Sequence, residues 1–317
     1  MDASTVGVPA YCSPATLTGC VQFDFPSRKT GRTYRLFIAK PPVDPPSSGY
    51  PVFLAVDGNL VFPIAVAVNA SFAMAGAAAL VVGVGYASDA PLELMQLRTR
   101  DLTPPTPLER VPRRLPGLPP PRQEDFGGAE PFYEFLTEEL VPLIGQLHPI
   151  NKADVTLYGH SMGGLFTVGA LLKHPNAFRN FVASSPSLFW NRRSVLRDFE
   201  LLKTQVEGGQ AAPRVLLMAG GAEQSVPKPI PQIILQQVAE KAPRVPKWLR
   251  GEVARWFVWN MLREYAMVSN IRAVAGRLRR VHGHKGYVVR EHVFSGEDHT
   301  TALPASIGRA FGFMLRP

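Results

Sequence analysis

The pentapeptide Gly159-His160-Ser161-Met162-Gly163 constrains the fold of this 317-residue chain more than any other feature. Apolar residues precede it at 155–158 and follow it at 164–172, a pattern that predicts a strand, a sharp turn and a helix. A G-x-S-x-G sequence in that setting forms a strained turn that lifts the serine hydroxyl above the end of a sheet. The turn needs small neighbours, and the two glycines supply them. Ser161 is therefore the candidate nucleophile.

Strand and helix patterns alternate along most of the chain. Continuous apolar runs at 51–56, 80–84 and 215–218 are typical of buried central strands, and stretches of helical character lie between them. This alternation predicts an α/β fold, with a mainly parallel sheet and helices on both of its faces. Two earlier strand patterns, at 21–25 and 33–39, are separated by a short turn and predict an antiparallel edge.

Two segments interrupt this alternation. Residues 88–128 carry a dense run of prolines, which predicts an irregular loop, and a connection of that length usually acts as a lid or a binding loop. Residues 225–262 are mostly helical in pattern and are interpreted as an insertion, which either caps the site or packs its tryptophans into the core. We therefore predict one domain over residues 1–317, with an irregular tail at 1–20 and lid or cap insertions at these two segments.

The sequence argues against a membrane protein and against export. It contains no run of about 18 apolar residues free of charge, so a membrane-spanning helix and a membrane partner are not expected. Its first residues lack a basic segment followed by an apolar one, so we expect no signal peptide and a cytoplasmic location. Cys12 and Cys20 are then expected to be free thiols, and a disulfide between them is the alternative in an oxidising compartment.

The net charge of +9 first suggests a nucleic-acid partner. The basic residues, however, scatter through the predicted loops and are not interleaved with aromatic residues, so binding to nucleic acid is not expected. Anionic substrates, or solubility alone, account for the charge equally well.

A serine hydroxyl is a poor nucleophile unless a histidine removes its proton and a carboxylate orients that histidine. Where such a serine turn lies in a parallel sheet, the acid and then the histidine follow along the chain, each after a strand. Glu223 follows the apolar run at 215–218, and His299 follows the last predicted strand at 288–294. These residues are the candidate acid and base. Asp298 is the alternative acid, although a direct neighbour in sequence rarely has the geometry to orient the imidazole ring.

The other histidines are assigned different roles. His160 lies inside the serine turn and is expected to present its backbone, rather than its imidazole, to the chemistry. His282 and His284 lack the acidic partners that a metal site would need, so we place them in a surface loop. We expect neither a metal nor a cofactor.

Attack on an ester creates an oxyanion that needs fixed N–H donors. The backbone N–H of Met162, directly after the candidate nucleophile, is the first donor expected. The second is expected from the turn Asp57-Gly58-Asn59 after the strand at 51–56, with Asn59 preferred and Gly58 next. An ordinary strand-ending turn without a catalytic part is the alternative.

Together these motifs resemble the Putative esterase family of α/β hydrolases, and within it the siderophore esterases that open the trilactones enterobactin, salmochelin and bacillibactin. The segments that carry the resemblance occur in family order from about residue 20 to the C-terminus, at 56–59, 83–86, 100–104, 127–130, 139–142, 158–166, 184–191 and 296–299. The loop at 105–122 has no counterpart in the family's pattern, and residues 225–262 look like an enlarged insertion.

The resemblance implies a serine esterase that acts on an ester or lactone, with Ser161 as nucleophile, His299 as base and Glu223 as acid. The expected partner is a small-molecule ester, such as an anionic compound or a ferric catecholate. Two alternatives remain open. One is a thioesterase similar to S-formylglutathione hydrolase, which also carries a G-H-S-M-G-G segment. The other is a non-catalytic binding module on a hydrolase scaffold.

Two arginines are candidates for substrate binding. The family's arginine before its D-x-T-P segment matches Arg100, and the resemblance implies that it lies where acidic groups of a substrate are met. Arg98, two residues earlier, is included with it. The alternative is that Arg100 is structural and pairs with Asp101 or Glu139.

Overall fold

Eight strands form one sheet in the computed structural model, which describes residues 16–111, 120–224, 246, 249–253, 255–256 and 265–316. In chain order they are β1 (Cys20–Pro26), β2 (Thr33–Ala39), β3 (Tyr50–Val56), β4 (Leu80–Gly85), β5 (Ile150–His160), β6 (Asn180–Ser184), β7 (Arg214–Gly220) and β8 (Val288–Phe294). Their order across the sheet is β1-β2-β4-β3-β5-β6-β7-β8.

The sheet is parallel from β4 to β8, whereas β2 is antiparallel to both of its neighbours, β1 and β4. The predicted parallel sheet with an antiparallel edge is therefore confirmed. Every residue of β4, β6 and β7 is buried. Their nearly continuous apolar sequences follow from this, because helices cover both faces of a central parallel strand.

Helices lie on both faces of the sheet. Within the described residues they are α1 (Gly58–Met74), α2 (Pro91–Leu102), α3 (Ala129–Glu134), α4 (Val141–Leu147), α5 (Met162–Lys173), α6 (Phe199–Glu207), α7 (Met267–Leu278) and α8 (Ala302–Leu315). Side chains of β3 alternate between two core clusters. Leu54 packs in the cluster that includes α5 and α7, and Phe53 packs in the one that includes α1 and α8.

The segment at 88–128 is less irregular than predicted. Residues Pro91–Leu102 form α2, so the expectation of no regular structure is wrong for the first part of this segment. The prolines are concentrated after residue 103, and the stretch before them is rich in Leu, Met, Gln and Arg, which favour helix. Pro91 fits in the first turn because its missing N–H would have no partner within the helix.

Three predicted segments fall partly outside the described residues. After α2 the loop forms short 3₁₀ turns at Leu108–Arg110 and Gln123–Asp125, and residues 112–119 lie outside. Most of the predicted insertion at 225–262 lies outside too, as do residues 1–15 with Cys12, while Cys20 opens β1 as a free thiol. The single-domain assignment stays a prediction.

No helix in the described ranges has both the length and the apolar character needed to cross a lipid bilayer.

A buried carboxylate, Asp101 near the end of α2, ties this helix to the sheet. It accepts hydrogen bonds from Arg32 Nη1 at 2.9 Å, from the Tyr34 hydroxyl at 3.0 Å and from the Tyr86 hydroxyl at 3.2 Å. Burial raises the pKa of Asp101, and the Arg32 guanidinium acts in the opposite direction. Since a buried charge is tolerated only when it is paired and hydrogen-bonded, these three contacts fix α2 against β2 and the end of β4.

Asp101→Ala is expected to lower the free energy of unfolding by about 3 kcal/mol, because Arg32 and two tyrosine hydroxyls lose their acceptor. Asp24→Ala is the matched control, since Asp24 pairs with Arg35 at the solvent-exposed edge of the sheet and its loss should have a much smaller effect. Urea unfolding followed by circular dichroism measures both. Equal losses in the two variants would contradict the structural role of Asp101.

Candidate active site

Ser161 occupies the sharp turn between β5 and α5. Its backbone angles, φ 59° and ψ −117°, are those of a turn position that favours glycine. The Ser161 N–H donates to Ser184 O at 2.9 Å, and the Ser187 N–H donates to Ser161 O at 3.0 Å. A Cβ on Gly159 would collide with Gly163 O, so the turn requires glycine there. The predicted strand, turn and helix are present, and they hold the serine in a strained backbone conformation.

Three side chains from different parts of the chain meet above the carboxyl ends of the strands. Ser161 Oγ lies 3.0 Å from His299 Nε2, and His299 Nδ1 lies 2.6 Å from Glu223 Oε2. The Glu223 side chain is 4% exposed and that of His299 is 45% exposed. A carboxylate beside Nδ1 keeps the proton on that nitrogen, which leaves Nε2 as the acceptor for the serine hydroxyl. The arrangement can therefore move a proton from Ser161 to His299 and stabilise the imidazolium that forms.

The second oxygen of Glu223 has its own partners, which the sequence analysis missed. Ser185 Oγ donates to Glu223 Oε1 at 2.5 Å, and the Gly220 N–H donates to the same oxygen at 2.7 Å. Ser185 is completely buried, and its φ of 42° is uncommon for a residue other than glycine. No local sequence signal marks Ser185 as a partner of Glu223, because the contact joins the ends of two neighbouring strands.

The alternative acid, Asp298, is bonded to its own loop. Its Oδ1 accepts hydrogen bonds from the Thr300 N–H at 2.9 Å and from the Thr301 N–H at 3.0 Å. Backbone hydrogen bonding, that of Thr301 first, lowers the pKa of the Asp298 carboxyl. Asp298 thus shapes the loop that presents His299, whereas the Nδ1 atom of His299 faces Glu223.

The imidazole of His160 lies in the site, so the expectation that only its backbone would do so is wrong. Its ring centroid is 4.7 Å from that of His299, with the two planes inclined by 42°. Its Nδ1 lies 3.2 Å from Ser184 Oγ. Burial, followed by the charges of His299 and Arg98, lowers the pKa of His160 to about 3. At neutral pH His160 is therefore an uncharged ring packed beside His299.

The turn after β3 lies beside the serine turn. Asp57 adopts the left-handed conformation, with φ 59° and ψ 41°, and α1 begins at Gly58. A Cβ on Gly163, in the first turn of α5, would lie 3.1 Å from Asp57 Oδ2, which shows that α1 and α5 begin next to each other. The first N–H groups of a helix have no acceptor within the helix. The N–H groups of Gly58, Asn59 and Met162 thus belong to two adjacent helix starts.

The side chain of Asn59 is fully engaged away from the serine. Its Oδ1 accepts from the Tyr86 N–H at 2.8 Å, and its Nδ2 donates to Tyr86 O at 2.9 Å. These bonds fix the start of α1 against the end of β4. A contribution of Asn59 to an oxyanion site therefore has to come from its backbone N–H.

Arg98 forms a bidentate ion pair with Asp57. Its Nε and Nη2 donate to the two carboxylate oxygens at 2.7 Å each. The Arg98 side chain is 17% exposed. Both ends of the Asp57 carboxylate are held, so this pair anchors the turn that carries Gly58 and Asn59.

Arg100, by contrast, is exposed on α2. The carboxylates considered as its alternative partners are bonded elsewhere. Asp101 binds Arg32, and Glu139 accepts from Ser27 Oγ at 2.6 Å and from the Arg28 N–H at 3.1 Å. The structure therefore does not place Arg100 in direct hydrogen-bond contact with either carboxylate.

His282 and His284 lie exposed in a loop beside Glu207. In the part of the chain that the structure describes, no group of three or more His, Cys, Asp or Glu side chains could hold a metal ion.

Comparison with known proteins links this geometry to a family. Residues 119–250 match the family model described as Putative esterase. The chain is 31% identical over 296 residues to the ferri-bacillibactin esterase of Bacillus subtilis, which covers 92% of this chain and 88% of that protein. It is 27% identical over 268 residues to the siderophore triacetylfusarinine C esterase of Aspergillus fumigatus, covering 82% of this chain and 79% of that protein.

Among solved structures, the BES protein from Bacillus cereus is similar with a TM-score of 0.74 and 27% identity, covering 96% of this chain and 99% of that one. The S-formylglutathione hydrolase of Rattus norvegicus is similar over only 54 residues, or 17% of this chain. The similarity that spans nearly the whole chain is thus to siderophore esterases. The chain belongs to the Putative esterase family, as a carboxylic ester hydrolase with the α/β-hydrolase fold.

Proposed function

We propose that this esterase hydrolyses the ester bonds of a siderophore trilactone of the catecholate type, through an acyl-enzyme on Ser161. The hydrogen-bonded series Ser161–His299–Glu223 is the observation that carries the reaction type. The substrate class is supported by the near full-length similarity to a ferri-bacillibactin esterase.

In the first half of the reaction, His299 Nε2 takes the proton from Ser161 as Oγ attacks the ester carbonyl. The negative charge on the carbonyl oxygen is met by the N–H of Met162 and by a second N–H from Asn59 or Gly58. His299 then gives its proton to the departing alkoxide, which leaves as an alcohol. The acyl group remains bonded to Ser161.

In the second half, water attacks the acyl carbonyl while His299 takes a proton from it. Collapse of the oxyanion breaks the bond to Ser161, and the proton on His299 returns to the serine oxygen. Throughout both halves, Glu223 holds the imidazole in one orientation and offsets its positive charge. Ser185 and the Gly220 N–H in turn hold the carboxylate of Glu223.

Charge complementarity supports an anionic substrate. A ferric catecholate complex is negatively charged, and the chain carries a net charge of +9. Arg100 is exposed on α2, whereas the Arg98 side chain is bound to Asp57. We therefore assign Arg100 to contact with the substrate and Arg98 to the support of the turn at 57–59.

The substrate assignment is tested by comparing kcat/KM for ferric and iron-free enterobactin, p-nitrophenyl acetate and S-formylglutathione. We expect the siderophore trilactone to be preferred over the other two by at least about a hundredfold, a difference of about 2.7 kcal/mol in transition-state binding. A preference for S-formylglutathione would instead favour the thioesterase. No turnover of any ester by folded protein would favour a binding module.

Ser161→Ala and His299→Ala are each expected to lower kcat on p-nitrophenyl acetate by about 10⁴-fold or more. The double variant should be scarcely worse, because the two residues act as a unit. Steady-state kinetics measures the loss, and an unchanged melting temperature shows that each variant is folded. A folded Ser161→Ala protein that kept more than a few per cent of its activity would exclude Ser161 as the nucleophile.

Glu223→Gln is expected to lower kcat by about 10³-fold or more, because the amide does not stabilise the imidazolium. Asp298→Asn is the matched control and should change kcat by less than about tenfold. Ser185→Ala should fall between them, with kcat reduced about tenfold and KM little changed, because one hydrogen bond to the carboxylate is lost. A larger effect of Asp298→Asn than of Glu223→Gln would reverse the assignment of the acid.

Arg100→Ala is expected to raise KM for the ferric siderophore about tenfold and to leave p-nitrophenyl acetate nearly unaffected, because a guanidinium binds anionic oxygens by charge-assisted bonds. Arg280→Ala, at an exposed position after α7, is the control for the loss of one positive charge. Equal effects of Arg100→Ala on both substrates would show a structural role.

A further inference from the structure

A cavity of about 620 Å³ lies apart from Ser161, between the outer strand β8 and helix α8. Its walls include Arg290 on β8, Arg309 in the C-terminal half of α8, Arg316 directly after that helix, and Phe72 on α1. None of the three residues Ser161, His299 and Glu223 lines it. It is therefore a second concave surface, on the face of the sheet that carries α1 and α8.

The wall formed by α8 is open rather than packed. Gly308 and Gly312 line the cavity one helical turn apart. A Cβ added to either glycine would meet nothing within 4 Å. Packing therefore does not explain the glycines, and their effect is to leave space beside the helix backbone.

The positive charges around this space form no ion pair within the described part of the chain. Among the ion pairs formed by the described residues, none includes Arg290, Arg309 or Arg316. Among the described residues that line the cavity, one carries a carboxylate, Glu291, and its Oε2 lies 3.5 Å from Arg279 Nη1. Three guanidinium groups thus outnumber the single carboxylate among the described lining residues, and that carboxylate is itself paired with Arg279.

Two of these arginines lie over aromatic rings. The Arg316 guanidinium lies 5.2 Å from the centre of the Phe72 ring, and that of Arg290 lies 5.7 Å from the centre of the Phe313 ring. Arg309 Nη2 lies 3.4 Å from His292 Nε2. Guanidinium groups held in this way lose less freedom when they bind a ligand, because their positions are already restricted.

Ordinary structural roles account for only part of this cluster. A positive charge on an outer strand such as β8 discourages pairing with another chain, and this explains Arg290. A positive charge at a helix C-terminus interacts favourably with the helix dipole, and this explains Arg316. Neither role explains Arg309, the two glycines with free space beside them, or the cavity between β8 and α8.

We propose that this cavity binds a small multivalent oxyanion, of the oligophosphate or tricarboxylate class. Guanidinium groups recognise phosphate and carboxylate oxygens through paired N–H donors, and three of them around one cavity suit a ligand with several such groups. Aromatic rings and open backbone complete the walls. The site is independent of the ester-cleaving site and of its substrate.

The test is isothermal titration calorimetry of the full chain at low salt, with inorganic tripolyphosphate in one series and citrate in another. At least one of them is expected to bind with a stoichiometry of one. The double variant Arg290→Gln/Arg309→Gln should weaken that binding by at least about tenfold, because two charge-assisted contacts are lost. Tripolyphosphate binding alone would identify the phosphate class, and citrate binding alone the carboxylate class.

The matched control is Arg272→Gln/Arg280→Gln, which removes the same charge from exposed positions on and after α7, on the opposite face of the sheet. It should leave anion binding within about twofold of the wild type. Both double variants should retain hydrolysis of p-nitrophenyl acetate, which shows that they are folded. If neither anion binds, or if the two double variants weaken binding equally, the proposal is overturned.

Discussion

The buried carboxylate of Glu223 is the interaction on which the rest of the site depends. Removing a charged carboxylate from water is costly unless its oxygens are paired and hydrogen-bonded. Here each oxygen is met, one by His299 Nδ1 and the other by Ser185 Oγ and the Gly220 N–H. These partners come from the loop after β8 and from the ends of β6 and β7, so the burial of one charge fixes three strand ends relative to one another.

This constraint also affects the position of Ser161, the proposed nucleophile. Ser185 directly follows Ser184, whose carbonyl oxygen accepts the Ser161 N–H. The same short segment therefore positions Glu223 by a side chain and the serine turn by its backbone. His160 completes the arrangement, since its uncharged ring packs beside His299 and limits the space into which that imidazole can turn. Glu223, His299 and Ser161 are thus placed by contacts that share residues.

Much of this could be predicted from the sequence where the signal is local. Apolar runs predict the strands, and two glycines predict the serine turn. Both predictions are confirmed because backbone sterics and burial act within a few residues. The helix at Pro91–Leu102 is not predicted, because the many prolines that follow it suggest that the whole segment is irregular. The contacts of Ser185, of the His160 ring and of the Asp57–Arg98 pair could not be predicted for another reason. Each is a contact across the sheet ends, which depends on strand order and carries no mark in the residues themselves.

The strained backbone of Ser161 has an evolutionary consequence. Its φ of 59° with ψ of −117° suits glycine, and a serine held there costs about 1–3 kcal/mol. A Ser161→Gly change would relieve that cost and at the same time remove the proposed nucleophile. Selection for heat resistance alone would thus push this position away from serine. Descendants that lose the activity and replace this serine are then expected to be more stable than relatives that keep both. A serine retained at this position indicates a lineage in which hydrolysis is still under selection.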